Sequence, residues 1–371
     1  MSVVAAHLGP SVGDPADIPA PTTGDALAPR PPLEQSGRRR DDARLLVGWR
    51  ADGRLLEARM ADLPSFLDPG DVVVVNASAT LPAALLLDDD VVVHLSTQLV
   101  QHADSRGTWV VEVRRRCGHG STPWLGFRPT GPLPLPGGGR LDIVEPYRPA
   151  TNPAGVDSTR PVRLWTARLN VPSPVREHLA RFGRPIRYGC EAQPWPIAAY
   201  QTIFATEPGS AEMPSAARGF TTELVTRLVS QGVAVAPIVL HTGVSSQDAD
   251  EPPYPERYQV PRATVDVIHS THAAGRRVIA VGTTATRAIE TVAGRDGRLR
   301  PGEGWTHLVI TPARGVRAVD GLLTGWHDPE ASHLQLVEAV AGSGLLRRSY
   351  ARAIAAGFNG HEFGDFHLIL P

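Results

Sequence analysis

The order of apolar and polar positions divides the chain into three parts of different character. Residues 1–39 are rich in proline, alanine, aspartate and glycine and lack a hydrophobic period, which predicts a disordered N-terminal tail. Residues 76–170 contain short β-like runs between turns rich in glycine and proline, a spacing typical of a small barrel or sandwich. Residues 40–75 and 171–371 alternate apolar strands with helical periods, as an α/β domain does.

The expected fold is therefore α/β, with a mixed-sheet α/β domain that carries an inserted small β-barrel domain. The chain of 371 residues also exceeds the range of about 100–200 residues that is usual for one domain. In the α/β part, the pattern predicts strands at residues 45–49, 72–75, 233–240, 278–281, 307–311 and 366–370. It predicts helices at residues 60–66, 221–231, 262–274, 284–292, 329–341 and 345–356.

One strand-to-helix corner stands out as a candidate ligand site. The apolar strand at residues 278–281 runs through Gly282, Thr283 and Thr284 into a helix. Gly282 permits a tight turn, and either threonine can cap the helix with its hydroxyl. The free N–H groups of the helix start, with Arg287 about one turn on, suit a carboxylate or a phosphate. The pattern fits equally well a strand-to-helix connection in which the threonines only cap the helix. The ligand site and the capped connection therefore both stay open.

Composition excludes several kinds of site. The chain has no lysine, so all 37 basic residues are arginine, which excludes a Schiff-base lysine, a pyridoxal phosphate anchor and a P-loop lysine. Only Cys117 and Cys190 are present, too few for a disulfide framework or a multi-cysteine metal site, so a reducing cytoplasm fits best. No apolar run approaches the roughly 18 residues of a membrane span, and no signal peptide pattern opens the sequence.

The charge of the chain bears on nucleic acid as a partner. A formal net charge of −1 gives no general attraction to a polyanion, so such a partner needs a local arginine patch. Two runs of three arginines are candidates, at residues 38–40 and at residues 114–116. Short basic runs are more often solvated surface, so the alternative is that these arginines are exposed and bind no polyanion.

Several polar residues lie at the ends of predicted strands, where open α/β sheets bind ligands. A lone histidine at a strand end is more often structural than catalytic. Two histidines, a carboxylate and a tyrosine at separate strand ends of one sheet favour a site instead. These residues are Tyr200, Gln201, His241, Thr324, His327 and Asp365.

Six segments then carry a resemblance to a known family. They read RDDARLLV (residues 40–47), PGDVVVVN (69–76), YQTIFA (200–205), GTTATR (282–287), VDGLLTGWH (319–327) and FGD (363–365). In this order they are similar to the motifs of the S-adenosylmethionine:tRNA ribosyltransferase-isomerases of queuosine biosynthesis. From about residue 40 to its end, the chain is identified as a divergent member of that family.

The resemblance implies both a fold and a reaction. Family members pair an α/β domain with an inserted β-barrel. They transfer and isomerise the ribosyl moiety of S-adenosylmethionine onto a 7-aminomethyl-7-deazaguanine base in tRNA, which yields epoxyqueuosine, adenine and methionine. S-adenosylmethionine is a substrate in this reaction, and no metal is used.

The resemblance also suggests roles for individual residues, each with a buried structural role as its alternative. His241 and His327 are candidates for acid or base, because histidine titrates near neutrality. Asp365 is expected at a ribose hydroxyl or the sulfonium, and Tyr200 at the adenine or the acceptor base. These four form the predicted catalytic group. The residues expected to bind S-adenosylmethionine are Gln201, Glu256, Gly282, Thr283, Thr284, Arg287 (at the methionine carboxylate) and Thr324.

Departures from the family pattern lie in ligand-facing segments. The family segment Ala-Pro-Thr-Ala-Gly-Leu-His-Phe-Thr has its counterpart at residues 213–221, where Gly219 replaces the histidine. In the family segment Met-His-x-Glu, Tyr254 replaces the histidine while Glu256 is kept. The segment Thr-Asn-Phe-His loses its amide side chain at Gly325. Loss of a proton-transfer group costs about a hundredfold or more in rate if that group acts in the chemistry.

Three functions therefore stay open. The chain is a ribosyltransferase-isomerase acting on tRNA, an S-adenosylmethionine-using enzyme of the same fold with another acceptor, or a binding protein without turnover. In each case we expect a cytoplasmic monomer that uses no metal and contacts no membrane.

Overall fold

The computed structural model describes residues 27–88, 90–100, 106–148, 161–245, 253–328, 333–360 and 362–371. In chain order the strands are β1 (Arg44–Trp49), β2 (Leu55–Arg59), β3 (Val72–Asn76), β4 (Ser78–Thr80), β5 (Ala84–Leu86), β6 (Val91–Val100), β7 (Arg106–Cys117), β8 (Gly120–Pro123), β9 (Leu133–Leu135), β10 (Gly139–Pro146), β11 (Leu164–Asn170), β12 (Glu207–Ser210), β13 (Ala234–His241), β14 (Glu256–Val260), β15 (Val278–Val281), β16 (Gly302–Thr306), β17 (Gly321–Gly325) and β18 (Phe366–Leu370). The helices are α1 (Val175–Phe182), α2 (Thr222–Ser230), α3 (Arg262–Ala273), α4 (Gly282–Val292), α5 (His333–Ala341) and α6 (Ser343–Ala355).

A mixed sheet of nine strands forms the α/β part, in the order β16-β14-β13-β3-β15-β17-β18-β1-β2. Its central strands are parallel to one another, namely β13, β3, β15 and β17. The next strand, β18, runs antiparallel to β17 and parallel to β1. The carboxyl ends of the four parallel strands therefore share one edge with the amino ends of β18 and β1. We call this edge the carboxyl edge.

Alternating residues of the central strand β3 pack into two separate cores. Val72 and Val74 face one core together with α3, α4 and α5, while Val73 and Val75 face the other together with α2 and the 3-10 turn Met60–Phe66. Successive side chains of a strand point to opposite faces, so an uninterrupted valine run suits a strand covered on both sides. This explains why β3 lies in the middle of the sheet.

The second sheet has seven antiparallel strands in the order β5-β6-β7-β11-β10-β9, with β8 paired to β7. It forms a barrel-like sheet around its own core, in which Leu95, Val111 and Leu141 are fully buried. The predicted α/β fold with an inserted β-barrel is confirmed. The strands of the insert run from Ala84 to Asn170. The domain limits at residues 76 and 170 stay a prediction.

Two links join the parts of the chain. The short parallel pair of β4 and β12 lies between the large sheets in sequence and in space. Cys117 at the end of β7 forms a disulfide with Cys190, with the two Cα atoms 4.7 Å apart. Two cysteines are too few for a framework, yet they form this single bridge between the insert and the segment that follows α1.

Residues 27–39 lie against the α/β part, although composition predicts a tail that includes them. Leu27 and Leu33 are buried, and Leu33–Ser36 form a 3-10 turn. Nη1 of Arg30 lies 2.9 Å from Oδ1 of Asp365. The structure differs from the prediction here because single apolar and charged anchors, which have no periodicity, hold this segment. Residues 1–26 of the predicted tail lie outside the described residues.

The predicted strand at residues 307–311 is wrong, since the strand in this region is β16, which ends at Thr306. The hydroxyl of Thr306 accepts a hydrogen bond from the N–H of Leu308 at 3.2 Å, and this turn redirects the chain. In the described ranges, no helix is long and apolar enough to cross a membrane. The same residues contain no cluster of three or more histidine, cysteine or acidic side chains placed to hold a metal ion.

Candidate active site

The carboxyl edge brings together residues from separate strands. His241 is the last residue of β13, Gly282 directly follows β15, Thr324 lies in β17, and Asp365 directly precedes β18. In the sheet these four strands lie within the five consecutive strands β13-β3-β15-β17-β18. The expectation that strand ends gather these residues agrees with this topology.

A chain of hydroxyl groups holds the imidazole of His241. Its Nδ1 lies 2.8 Å from Oγ of Ser78, which lies 2.6 Å from Oγ of Ser210. The ring rests on Gly209, where a Cβ atom would come within 2.4 Å of the ring, so only glycine leaves room for it. Burial and nearby arginines lower the pKa of His241 to about 4. The imidazole is therefore neutral near pH 7, which suits a base better than an acid.

Two buried glutamates lie beside the loop that follows β13. Glu212 accepts hydrogen bonds from the N–H of Ser245 at 2.8 Å, from its hydroxyl at 2.5 Å and from the hydroxyl of Tyr188. Glu256 accepts the N–H of Gly243 at 3.1 Å. Burial raises the pKa of both carboxyl groups, and the charge of Glu212 adds to the rise at Glu256. This part of the site therefore favours added positive charge.

Arg287 already has a protein acceptor for each of its nitrogen atoms. Nη1 lies 2.6 Å from Glu256, Nε donates to the carbonyl of Leu308 at 2.8 Å, and Nη2 donates to the carbonyl of Tyr254 at 2.9 Å. The residue is only 5% exposed. This geometry differs from the predicted clamp on a methionine carboxylate, because sequence spacing does not reveal that Glu256 lies opposite Arg287.

The start of α4 differs in detail from the predicted corner. The helix begins at Gly282, whose φ is +89°, and the preceding Val281 provides no side-chain cap. Thr283 and Thr284 lie in the first turn, and the hydroxyl of Thr284 lies 3.3 Å from Nδ2 of Asn76. The prediction that a threonine caps this helix is wrong, because the helix starts at Gly282, two residues before the predicted start. The first-turn N–H groups therefore lack a side-chain cap.

A pair of histidines lies next to this corner. Nε2 of His327 is 3.0 Å from the hydroxyl of the buried Thr324, and the ring of His327 stacks on His333 with centroids 5.3 Å apart. The hydroxyl of Tyr350 accepts the N–H of His327 and donates to its carbonyl. Burial and the charge of Arg287 lower the pKa of His333. The backbone that presents His327 is therefore fixed on both sides.

Tyr200 and the loop before β18 form another part of the site. The ring of Tyr200 is buried edge-on against Phe363 at 5.2 Å, and burial raises the pKa of its hydroxyl, which bonds to Arg187, to about 12. The neighbouring Glu362 is half-buried. Burial and the charge of Glu212 raise the pKa of Glu362 to about 8. Glu362 therefore keeps its proton at neutral pH.

Two predicted site residues, Gln201 and Asp365, make hydrogen bonds that stabilise the fold. Gln201 exchanges two hydrogen bonds with the backbone of Thr80, at 2.8 and 3.0 Å. The carboxylate of Asp365 accepts the N–H groups of Arg44 and Asn359, both at 2.9 Å, in addition to its ion pair with Arg30. Through these contacts both residues stabilise the backbone around them, which is the structural role predicted as the alternative to a catalytic or binding role.

The position where the family pattern has a histidine is filled by the core. A Cβ atom on Gly219 would lie 2.7 Å from the ring of Phe366 and 2.9 Å from Cγ of Met60. The preceding Arg218 is buried and bonds both carboxylate oxygens of Glu34, at 2.8 and 2.9 Å. The missing imidazole therefore leaves no empty space in the site.

The predicted arginine patches are largely occupied by internal pairs. Arg39 lies 2.9 Å from Asp41, and the buried Arg114 lies 2.5 Å from Glu112. Arg115 is exposed and lies over the ring of Trp124, with its guanidinium carbon 4.2 Å from the centroid. Only part of each run faces solvent.

Sequence reasoning missed several residues of the site. Ser78 follows the end of β3 by two residues, so the same rule of strand ends that selected His241 applies to it. Glu362 directly precedes the segment FGD, and its place next to that motif is a usable signal. Tyr188, Glu212 and His333 lie in irregular segments or at a helix start, where no pattern distinguishes them.

The chain matches a known protein family over most of its length. Residues 24–369 match the model of a family described as "Queuosine biosynthesis protein". The chain belongs to this family. A Synechococcus elongatus protein named S-adenosylmethionine:tRNA ribosyltransferase-isomerase is 35% identical over 348 residues, which cover 90% of either chain. A protein of the same name from Novosphingobium aromaticivorans is 34% identical and covers 96% of this chain and 98% of its own length.

One solved structure is also similar to this chain. It is titled as an S-adenosylmethionine tRNA ribosyltransferase from Thermotoga maritima, is 25% identical, and covers 96% of this chain and 100% of its own, with a TM-score of 0.48. The family membership inferred from the six motifs is confirmed by the family match.

Proposed function

We propose that the chain is an S-adenosylmethionine:tRNA ribosyltransferase-isomerase. It transfers and isomerises the ribosyl moiety of S-adenosylmethionine onto a 7-aminomethyl-7-deazaguanine base in tRNA and releases adenine and methionine. The observation that carries this proposal is the match to relatives of that name at 34–35% identity over about nine-tenths of the chain or more. The alternatives, another acceptor or binding without turnover, are not favoured by it.

The electrostatics of the carboxyl edge support a cationic substrate. The sulfonium of S-adenosylmethionine carries a fixed positive charge. Burial raises the pKa of both Glu256 and Glu362, and the charge of Glu212 adds to the rise at each of them. Carboxyl groups that hold protons above their usual range also favour another cation in the same place. We assign this cluster of Glu212, Glu256 and Glu362 to the surroundings of the sulfonium.

The start of α4 supports a place for the methionine carboxylate. Its first-turn N–H groups are uncapped by a side chain, and an anion is stabilised there by these donors and by the helix dipole. Arg287 acts through Glu256 in this arrangement, as a positioning residue. Gly282, Thr283, Thr284 and Thr324 remain the residues proposed to line this end of the substrate.

The reaction needs a base, because the sulfonium acidifies the neighbouring C5′ proton of the ribose. His241 is neutral near pH 7 and is oriented by Ser78, so it is proposed as that base, with His327 as the alternative. Loss of the proton opens the ribose ring and expels adenine, which leaves with a proton. Glu362 holds a proton at neutral pH and is proposed to supply it. The amine of the acceptor base then attacks the carbon skeleton, and methionine leaves.

The remaining partners and the location follow from this substrate. Because the proposed substrate is tRNA, a cytoplasmic location is part of the proposal. Contact of the tRNA with an exposed part of the arginine patches is proposed as well. The reaction described here requires no metal. The monomeric state stays a prediction.

Incubation of the protein with S-adenosylmethionine tests the function directly. Adenine and methionine are expected only when tRNA bearing 7-aminomethyl-7-deazaguanine is present, and mass spectrometry of the digested tRNA is expected to show the epoxyqueuosine mass. The control is the same tRNA with guanine at that position. Adenine release without tRNA would instead indicate another acceptor, and binding of S-adenosylmethionine without any release would indicate a binding protein.

A further inference from the structure

A small polar cavity lies in the inserted sheet, away from the carboxyl edge. It has a volume of about 40 Å³ and lies between β6, the β7–β8 hairpin and the chain segment that follows α1. No acidic side chain is among the described residues that line it. Its polar lining is His94, Arg116, His119, Ser121, Arg184 and Arg187.

The floor of the cavity contains a buried nitrogen atom without a partner. His94 is 1% exposed, and its Nε2 lies 3.3 Å from the hydroxyl of Ser121. Its Nδ1 is buried and has no hydrogen-bond partner within the described part of the chain. Ser121 also accepts a hydrogen bond from Nε of Arg114 at 2.9 Å. Because unpaired buried polar atoms are costly, a ligand oxygen that reaches this nitrogen would be stabilised by it.

The walls of the cavity supply further donors. Nε of Arg187 is also buried without a partner among the described residues. Its Nη atoms lie 3.4 Å from the carbonyl of His119 and 3.5 Å from that of Trp195, and its guanidinium also interacts with the hydroxyl of Tyr200. Arg184 is exposed at the mouth, and its backbone exchanges two hydrogen bonds of 2.9 Å with Ala84. Arg184 and Arg187 therefore both line the cavity, and the backbone of Arg184 is held by hydrogen bonds.

The two walls are also fixed relative to each other. Cys190 is bonded to Cys117 at the end of β7, and the N–H of Gly189 donates to the carbonyl of Ser121 at 3.0 Å. A Cβ atom on Gly120 would lie 2.1 Å from the carbonyl oxygen of Gly189, so the hairpin and the segment touch through glycine. The cavity is thus preformed, which lowers the cost of ordering donors around a ligand.

We propose that this cavity binds one phosphate group, supplied by the backbone of the RNA substrate. Guanidinium forks match the oxygens of a phosphate, and His94 with a proton on Nδ1 adds a neutral donor at the floor. The exposed mouth lets a backbone phosphate enter while its neighbours stay outside. Arg187 also bonds to Tyr200, which connects the cavity to the candidate active site. The assignment to RNA rests on the proposed function, whereas the affinity for phosphate does not.

The first test measures binding of unmodified tRNA over a range of salt concentrations, so it requires no turnover. Arg184→Gln is expected to weaken binding roughly threefold to tenfold and to reduce the slope of log K against log salt by about 1, the loss of one phosphate contact. The matched control is Arg298→Gln, which removes an exposed arginine from the turn after α4. Unchanged affinity and slope in Arg184→Gln, or an equal loss in both variants, would overturn the proposal.

The second test separates RNA from free phosphate as the source. At constant ionic strength, millimolar inorganic phosphate is expected to raise the melting temperature of the wild type more than chloride does, and to lose this effect in Arg184→Gln. If phosphate acts this way while the salt slope for tRNA is the same in both proteins, the assignment to RNA is wrong. If phosphate has no effect and the slope is unchanged, the cavity is not a phosphate site. Failure of adenine release alone leaves both tests unaffected.

Discussion

Two side chains of the carboxyl edge, His241 and Glu362, have pKa values that are shifted in opposite directions. Burial lowers the pKa of His241 to about 4 and raises that of Glu362 to about 8, so both groups are neutral at pH 7. A neutral imidazole can take up a proton, and a neutral carboxyl group can give one up. Environments that separate the roles of two titratable groups in this way are typical of acid–base catalysis. The strand-end rule selects His241 from the sequence, and the FGD segment beside Glu362 marks its position, but no sequence pattern reveals the burial that raises the pKa of Glu362.

The protonation of Glu362 makes folding stability depend on pH. The folded state binds this proton more tightly than the unfolded state, in which the pKa is about 4.5, so the contribution is present at low pH and is lost as the pH rises through about 8. Glu362→Gln removes this titration. We therefore expect the free energy of unfolding of the variant, relative to wild type, to increase between about pH 5 and about pH 9 in urea denaturation.

Glu177→Gln serves as the matched control, because this residue is exposed on α1. Its difference from wild type is expected to stay constant over the same pH range. A constant difference for Glu362→Gln as well would contradict the assignment of a raised pKa to this carboxyl group.

Among the secondary-structure elements, the sequence predicts individual strands better than the partners of their side chains. The uninterrupted apolar runs of β3 and β15 identify buried parallel strands, and the rule of strand ends correctly indicates one shared edge. The role of Arg287 is different, because it depends on the antiparallel pairing of β14 with β16, which brings Glu256 and the carbonyl groups around Thr306 towards α4. No local pattern contains that register.

Replacement of Arg287 tests whether it holds elements together or binds substrate. Arg287→Gln leaves Glu256 buried without its cation and removes bonds from α4 to neighbouring segments, so we expect a loss of about 3–5 kcal/mol in the free energy of unfolding. Arg298→Gln removes an exposed arginine, and its effect is expected to stay within about 0.5 kcal/mol. Urea denaturation without S-adenosylmethionine measures both. If Arg287→Gln left stability unchanged and raised the KM for S-adenosylmethionine, the result would instead support the prediction that Arg287 binds the methionine carboxylate.

For the whole molecule, contacts between distant parts of the chain decide what the sequence alone leaves open. β3 precedes the insert and lies between β13 and β15, which follow it, so the large sheet is complete only when both parts of the chain meet. β1 pairs with β18 at the other end of the chain. The spacing of short strands and turns predicts an inserted β-barrel, because this spacing is a local property of the sequence. It cannot predict that Arg30 reaches Asp365, since a separation of more than 300 residues leaves no periodic signal.

Arg30→Gln tests how far this long-range pair stabilises the molecule. The carboxylate of Asp365 is fully buried, and without Arg30 its remaining partners among the described residues are the backbone N–H groups of Arg44 and Asn359. A loss of about 3 kcal/mol in the free energy of unfolding is therefore expected. Arg38→Gln, at an exposed arginine of the same segment, is expected to change stability by less than about 0.5 kcal/mol. In a double-mutant cycle with Asp365→Asn, the double mutant should lose less free energy of unfolding than the sum of the two single losses, because the second change removes a charge that no longer has a partner. Equal small effects in Arg30→Gln and Arg38→Gln would mean that residues 27–39 only rest on the fold, as their composition suggests.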